Sequence, residues 1–512
     1  MSFMKLVNEI KFSVLLYFLT LILLLSTLLT IEYPAGNESV YLKQTMQLME
    51  GKTQPNWVSS TSYVTMLLGM PIIKFAFSFV NLRLLMIIIT AFSAPFMYLI
   101  LREFNVKNSL AALGSLILMT SPHVLLYLGY FGTEPVSLPI YLLSLLFFIR
   151  GIKLNSSRYL FAGSIFSIAG FLNKQFDAIP AIAAFIFLLL YYRILDKIKL
   201  QKSINYFLSS LENLIAVKGQ IEAKSLSKFL AVIIALIFVA SYLLNNYITT
   251  GQFTNPTTAP SNRPHPLLSP QFGINVQSPY RIMQDTLFLG FFFLPFGLYL
   301  TKYLKPKISF YKFEFKIINF IVLFSLIIAS LATVSGEPFI INPNNKILTF
   351  IATFLFSFTG VNLGLFIFEN RFVSKVINYC FIVLVLSTVF TFFKIGSFMI
   401  SYYVIFLPLV LIFLTLKIKQ WKPYLMTILI LGSFGIFMTI NNMQYEVTVW
   451  NKVEAALATG VKPWDIEGYY TVTVWLNNSL DNKYAKHVIT WERNPLFHEL
   501  PDIDSIKIIK SV

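Results

Sequence analysis

Charge is scarce in this chain. Only 12% of its 512 residues are Asp, Glu, Lys or Arg, while 56% are hydrophobic. A soluble domain carries about 25% charged residues. So little charge cannot cover the surface of a soluble protein of this size, and a string of water-exposed domains is excluded. Cysteine is almost missing. Cys380 stands alone, which rules out a disulfide within the chain and a cysteine-rich zinc site. There are four histidines, His123, His265, His487 and His498. None has HExxH-like spacing, which argues against a histidine metal site. No internal repeat or low-complexity tract is visible.

Acid is scarcer than base, giving a net charge of +17. In a soluble protein that balance points to nucleic acid. Here no domain-sized basic soluble segment exists, so nucleic acid is not an expected partner. The excess reads instead as lysine and arginine held on the cytoplasmic face of a membrane.

What the chain has in abundance is apolar runs, with 51 Phe and 26 Tyr that suit lipid-facing and interfacial positions. A span needs about 20 such residues. Candidate spans fall near 12–31, 82–101, 109–130, 135–150, 159–173, 177–192, 229–248, 286–304, 316–335, 347–368, 377–394, 397–416 and 423–441. The first follows Lys5 and Lys11 and lacks a small-x-small cleavage pattern, so it reads as a retained span. The stretch 62–80 carries Gly69, Pro71 and Lys74 and reads as lying along the surface. With that assignment the chain crosses about 13 times. The basic turns around Arg150, Lys153 and Arg158, and around Lys417, Lys419 and Lys422, then fall inside. If 62–80 crossed, they would face out, against the positive-inside rule. The N-terminus is therefore expected in the cytoplasm and the C-terminus outside.

The expected fold is an all-α polytopic membrane protein with a small external α/β domain at its end. Residues 1–195 form a first membrane module with an external loop over 32–81. Residues 196–441 form a second, with a proline-rich external loop over 249–285. Residues 442–512 regain Asp, Glu, Lys, Asn and Trp and read as the external domain. Within it, 464–480 reads as a helix, and 487–491 and 503–512 as short strands.

An ion-coupled transporter places ionisable groups near the midplane. This chain places its acids at the outer boundary. Glu38, in Asn37-Glu38-Ser39-Val40-Tyr41, follows the first span. A carboxylate there suits a base or a divalent cation held against a phosphate; its plain alternative is a solvated loop acid. Glu134 precedes Pro135 at a short external turn, where it is either a partly desolvated functional carboxylate or a helix-N-terminal acid. Lys174 is an isolated outer cation that suits a phosphate; alternatively it snorkels, or pairs with Asp177. Arg263, His265 and Arg281 sit in the 249–285 loop, either facing a phosphate or solvated. His123 reads as an intramembrane histidine.

Order and sidedness of these motifs resemble the dolichyl-phosphate-mannose protein mannosyltransferase-like group, which includes the aminoarabinose transferases and has the GT-C fold. The matching features run from Asn37-Glu38 and Tyr41, through Glu50-Gly51 and the surface stretch ending at Asn81-Leu82-Arg83, to Glu134-Pro135. They end on the span carrying Gly163, Gly170 and Asn173 before Lys174. The resemblance covers about the first 195 residues. It implies inverting transfer of a sugar from a polyprenyl- or dolichyl-phosphate donor to a glycan, lipid or protein acceptor at the outer face of the cell membrane. It implies Glu38 or Glu134 as base or as ligand of Mg or Mn, and Lys174 with an outer-loop arginine, Arg263 or Arg281, on the leaving phosphate. Many members have Asp where this chain has Asn37, and an amide takes no proton. Two other classes stand beside the transferase, and the Asn37 departure bears on the second of them. A flippase of lipid-linked sugars would show internal pseudo-symmetry and polar midplane residues. A non-catalytic assembly protein would fold without transferring sugar.

Overall fold

The computed structural model describes residues 3–35, 38–51, 62–127, 129–191, 223–250, 278–303, 307–310, 313–335, 346–393, 405–462, 466–467, 487–490 and 507–510. Helices dominate this set. The first ten are α1 (Phe3–Leu25), α2 (Glu38–Met49), α3 (Tyr63–Phe75), α4 (Phe79–Ala91), α5 (Ser93–Glu103), α6 (Asn108–Met119), α7 (Pro122–Tyr127), α8 (Thr133–Lys153), α9 (Ser157–Phe171) and α10 (Ile179–Tyr191). A 3₁₀ turn, Gln175–Ala178, joins α9 to α10.

Helix α1 shows why these segments belong in lipid. Ile10, Val14, Phe18 and Ile22, one turn apart, are exposed, while Leu16, Thr20 and Leu24 are buried on another face. A helix apolar on its outward face as well as its packed face needs an apolar solvent. Among the described residues, five helices are long and apolar enough to cross a membrane: Phe79–Glu103 (α4 and α5 taken together), Thr133–Lys153, Ser227–Asn245, Thr349–Asn370 and Lys422–Ala458. Each of the expected spans contains helix, but several are broken. Thr120-Ser121 separates α6 from α7, which opens on Pro122, because proline cannot continue the backbone ladder but is tolerated in a first helical turn. Asn105 (φ 57°) and Asn155 (φ 54°) sit in left-handed backbone just past α5 and α8, where asparagine closes helices at low steric cost.

The main core lies between α5, α6, α8 and the helix Phe406–Lys417. Tyr98, Leu101, Tyr141, Leu145 and Phe148 are buried there. From Phe406 to Thr415 every residue of that last helix is buried, so it is an interior element and not a lipid-facing one.

The helix Lys422–Ala458 runs without a break through the point near 442 where the composition changes. At 1.5 Å per residue its 37 residues reach about 55 Å, beyond a hydrocarbon layer of about 30 Å. Its far end forms a second core: Tyr445, Val449, Trp450 and Val453 pack with Ile466, and Ile31 and Tyr33 lean against them. Ile466 belongs to β3 (Ile466–Glu467), which falls inside the stretch 464–480 read as helix. β3 pairs parallel with β4 (His487–Thr490), and β4 antiparallel with β5 (Lys507–Lys510). A two-stranded hairpin, β1 (Lys307–Phe310) with β2 (Phe313–Lys316), precedes the helix Ile317–Ser335 and was not expected from the sequence.

Candidate functional site

Four of the residues singled out in the sequence come together where α2, α3, α4 and α8 meet. Tyr41 lies one turn from Glu38 on α2, and its hydroxyl is 3.3 Å from Thr133 Oγ1. Thr133 opens α8, and Glu134 is the next residue. Lys174 Nζ donates to Glu134 Oε1 at 2.9 Å, and Thr133 Oγ1 donates to Oε2 at 3.2 Å. The pair stays partly open, with side chains 15% and 25% exposed for Lys174 and Glu134. It can therefore exchange partners with an incoming ligand. Lys174 forms its ion pair with Glu134, forty residues away. Asp177 accepts a 2.5 Å hydrogen bond from Ser137, one turn beyond Glu134 on α8. The connection between α9 and α10 thus lies along α8 as two rungs, Lys174 on Glu134 and Asp177 on Ser137.

Close backbone approach makes the second rung possible. A Cβ added at Gly170 would lie 2.5 Å from the Asp177 Cβ. Only glycine fits at that point of α9.

Glu38 is not a solvated acid. It is fully buried and its two oxygens accept four hydrogen bonds: from Ala35 N at 2.8 Å, Phe131 N at 2.9 Å, and Arg83 Nε and Nη2 at 3.0 and 2.6 Å. A carboxylate has about four lone-pair sites, so Glu38 is saturated. Arg83 gives its remaining donors to the carbonyls of Leu29, Ile31 and Tyr33. The segment after α1 is therefore strapped to α4. It is held from the other side by the helix Lys422–Ala458, where Trp450 Nε1 donates to the Pro34 carbonyl at 3.0 Å and the indole stacks on Tyr33 at 4.6 Å. The same helix grips the turn before Glu134, with Asn442 Nδ2 donating to the Tyr130 hydroxyl at 2.6 Å.

Arg83, Trp450, Tyr130 and Asn442 are parts of this assembly that were not among the expected site residues. Arg83 alone carried a usable signal, a single cation inside the apolar stretch of α4. Asn37, Arg263 and His265 lie outside the described residues. Arg281 falls on the helix Ser278–Phe292 and not in an irregular loop. His123 is buried on α7, edge-on to Phe292.

The donor set fits a divalent cation only in part. Among the described residues no three His, Cys, Asp or Glu side chains converge. Glu38 has no lone pair left while paired with Arg83, which leaves Glu134 as the one expected ligand with room. Magnesium commonly takes one or two carboxylates together with substrate phosphate oxygens.

A helical chain with membrane-length apolar spans and a half-open ion pair at helix ends defines a multi-pass membrane protein with a polar site at the ends of its spans. Residues 63–221 match the family model described as dolichyl-phosphate-mannose-protein mannosyltransferase. That match takes in α3, Glu134 and Lys174, and it supports a GT-C-type glycosyltransferase. No curated protein matches the chain.

Proposed function

We propose that this protein transfers a sugar from a polyprenyl-phosphate donor to an acceptor hydroxyl at the outer face of the membrane, with inversion at the anomeric carbon. The observation that carries the reading is the 2.9 Å pair of Lys174 and Glu134, partly open and set at the N-terminus of a membrane-length helix. The distribution of lysine and arginine supports about 13 crossings with the N-terminus inside and residues 442–512 outside.

In this reading the ion pair is the resting state. The donor phosphate takes Lys174 by a charge-assisted hydrogen bond, and Glu134 is released toward the acceptor. The acceptor oxygen forms its bond to the anomeric carbon from the face opposite the phosphate. The bond between that carbon and the phosphate oxygen breaks, its electron pair leaves with the phosphate, and the hydroxyl proton passes to Glu134. Lys174 stabilises the phosphate charge that develops. A second cation comes from an arginine of the 249–285 segment, Arg263, or Arg281 on the helix Ser278–Phe292. Glu134 would be the residue to hold a divalent cation, Mg or Mn, which would supply further charge stabilisation. Glu38 serves this site from beneath, by fixing the start of α2, which carries Tyr41, and the turn at Phe131.

The test is release of polyprenyl phosphate by the purified protein in lipid, across a panel of labelled polyprenyl-phosphate sugars with a cell-envelope extract as acceptor. Donor-dependent label in the extract, of inverted anomeric configuration, is the expected result. Donor binding without transfer across the panel would instead favour a flippase.

A further inference from the structure

We infer that Asn173 is a positioning residue that sets the reach of Lys174 toward Glu134 and the leaving phosphate. This rests on the reading of Lys174 as the phosphate-binding cation. Asn173 is fully buried. Its side-chain Nδ2 donates to the Thr133 carbonyl at 2.8 Å, and its Oδ1 accepts from Thr65 N at 3.1 Å and Thr65 Oγ1 at 2.7 Å. The amide orientation follows from these partners, since the Thr65 N–H can only donate and the Thr133 carbonyl can only accept.

The placement is specific. Each end of the Asn173–Thr133 bond lies one residue before a member of the ion pair, Lys174 on one side and Glu134 on the other. The bond therefore fixes the register in which the two charges meet. Thr65 extends the link, because its hydroxyl also lies 3.1 Å from the Gly132 carbonyl. Tyr63 N bonds the Leu172 carbonyl at 3.0 Å, so α3 is tied to the Lys174 segment at two points. The backbone N–H of Asn173 closes on the Gly170 carbonyl at 2.8 Å, which anchors the same residue to the end of α9. One buried amide thus joins α3, α8 and α9 directly beneath the site. A charge displaced by about 1 Å loses on the order of 100-fold in rate.

The role is separable from a merely structural one by a double-mutant cycle. Asn173→Ala is expected to lower donor kcat/KM by about 100-fold in the wild-type background, and to cost less than about 3-fold once Lys174 is already Met. Thr65→Val should follow the same pattern, with Thr65→Ser close to wild type because the hydroxyl is kept. Thr65→Val replaces Asn173→Ala in the cycle if that variant fails to fold. Equal losses in both backgrounds, with an unchanged melting temperature, would overturn the inference while leaving the proposed function standing. If wild type does not transfer sugar, the cycle is read in polyprenyl-phosphate affinity. Wild type that neither transfers nor binds polyprenyl phosphate removes both readings together.

Discussion

Arg83 Nη2 lies 2.6 Å from Glu38 Oε2, and neither side chain reaches solvent. The two residues are 45 apart in sequence, on α4 and at the start of α2. Between them they hold five further groups: the carbonyls of Leu29, Ile31 and Tyr33 and the amides of Ala35 and Phe131. Residues 29–35 and the turn at Phe131 are therefore held in place by one buried ion pair.

Breaking that pair from either side leaves an uncompensated buried charge. Glu38→Gln and Arg83→Met are each expected to cost about 3–5 kcal/mol of stability. The double variant should recover part of that loss, because no lone charge remains. Melting temperatures of the four proteins in one lipid composition check this. A single variant with wild-type stability would show that the pair is not the clamp.

Trp450 tests whether the long C-terminal helix helps shape the site. Trp450→Phe keeps an aromatic face for Tyr33 but loses the N–H donor to Pro34, a cost of about 1 kcal/mol. Trp450→Ala loses both and is expected to cost about 3–5 kcal/mol. Thermal unfolding of the two variants should rank them in that order, and equal values would contradict the packing described.

Gly170 is the sharpest steric test. A methyl group there meets the Asp177 Cβ at 2.5 Å. Gly170→Ala is expected to destabilise by about 1–3 kcal/mol. It should also weaken donor binding, because the displaced turn carries Lys174. Wild-type stability and wild-type donor affinity in this variant would show that the turn relaxes freely.

Much of this site was legible in the sequence because the residues are charged and stand alone at the ends of apolar runs. Glu38, Glu134 and Lys174 all read out in that way, Tyr41 only through the motif it shares with Glu38, and the structure brings them to one place. Their pairing did not read out. Lys174 with Asp177 is the local choice, three residues apart, but the 3₁₀ turn at Gln175–Ala178 and the contact at Gly170 carry Asp177 to Ser137. Local composition leaves Glu38 open between a functional carboxylate and a solvated loop acid, because its partner Arg83 arrives from another helix and long-range pairing leaves no mark there. The helix Lys422–Ala458 was read as ending near 441 for a similar reason. Polar residues return there, yet Tyr445, Val449 and Val453 keep the four-residue spacing that buries one face.

In the proposed reaction Lys174 receives the donor phosphate and Glu134 receives the acceptor proton. The most direct test is steady-state sugar transfer from a polyprenyl-phosphate donor by wild type, Lys174→Met and Glu134→Gln, each shown to be folded by its melting curve. Wild type is expected to transfer sugar, Glu134→Gln to lose about 100-fold or more in kcat with donor binding retained, and Lys174→Met to lose both donor affinity and kcat. Transfer at the wild-type rate by either folded variant would contradict the proposed reaction.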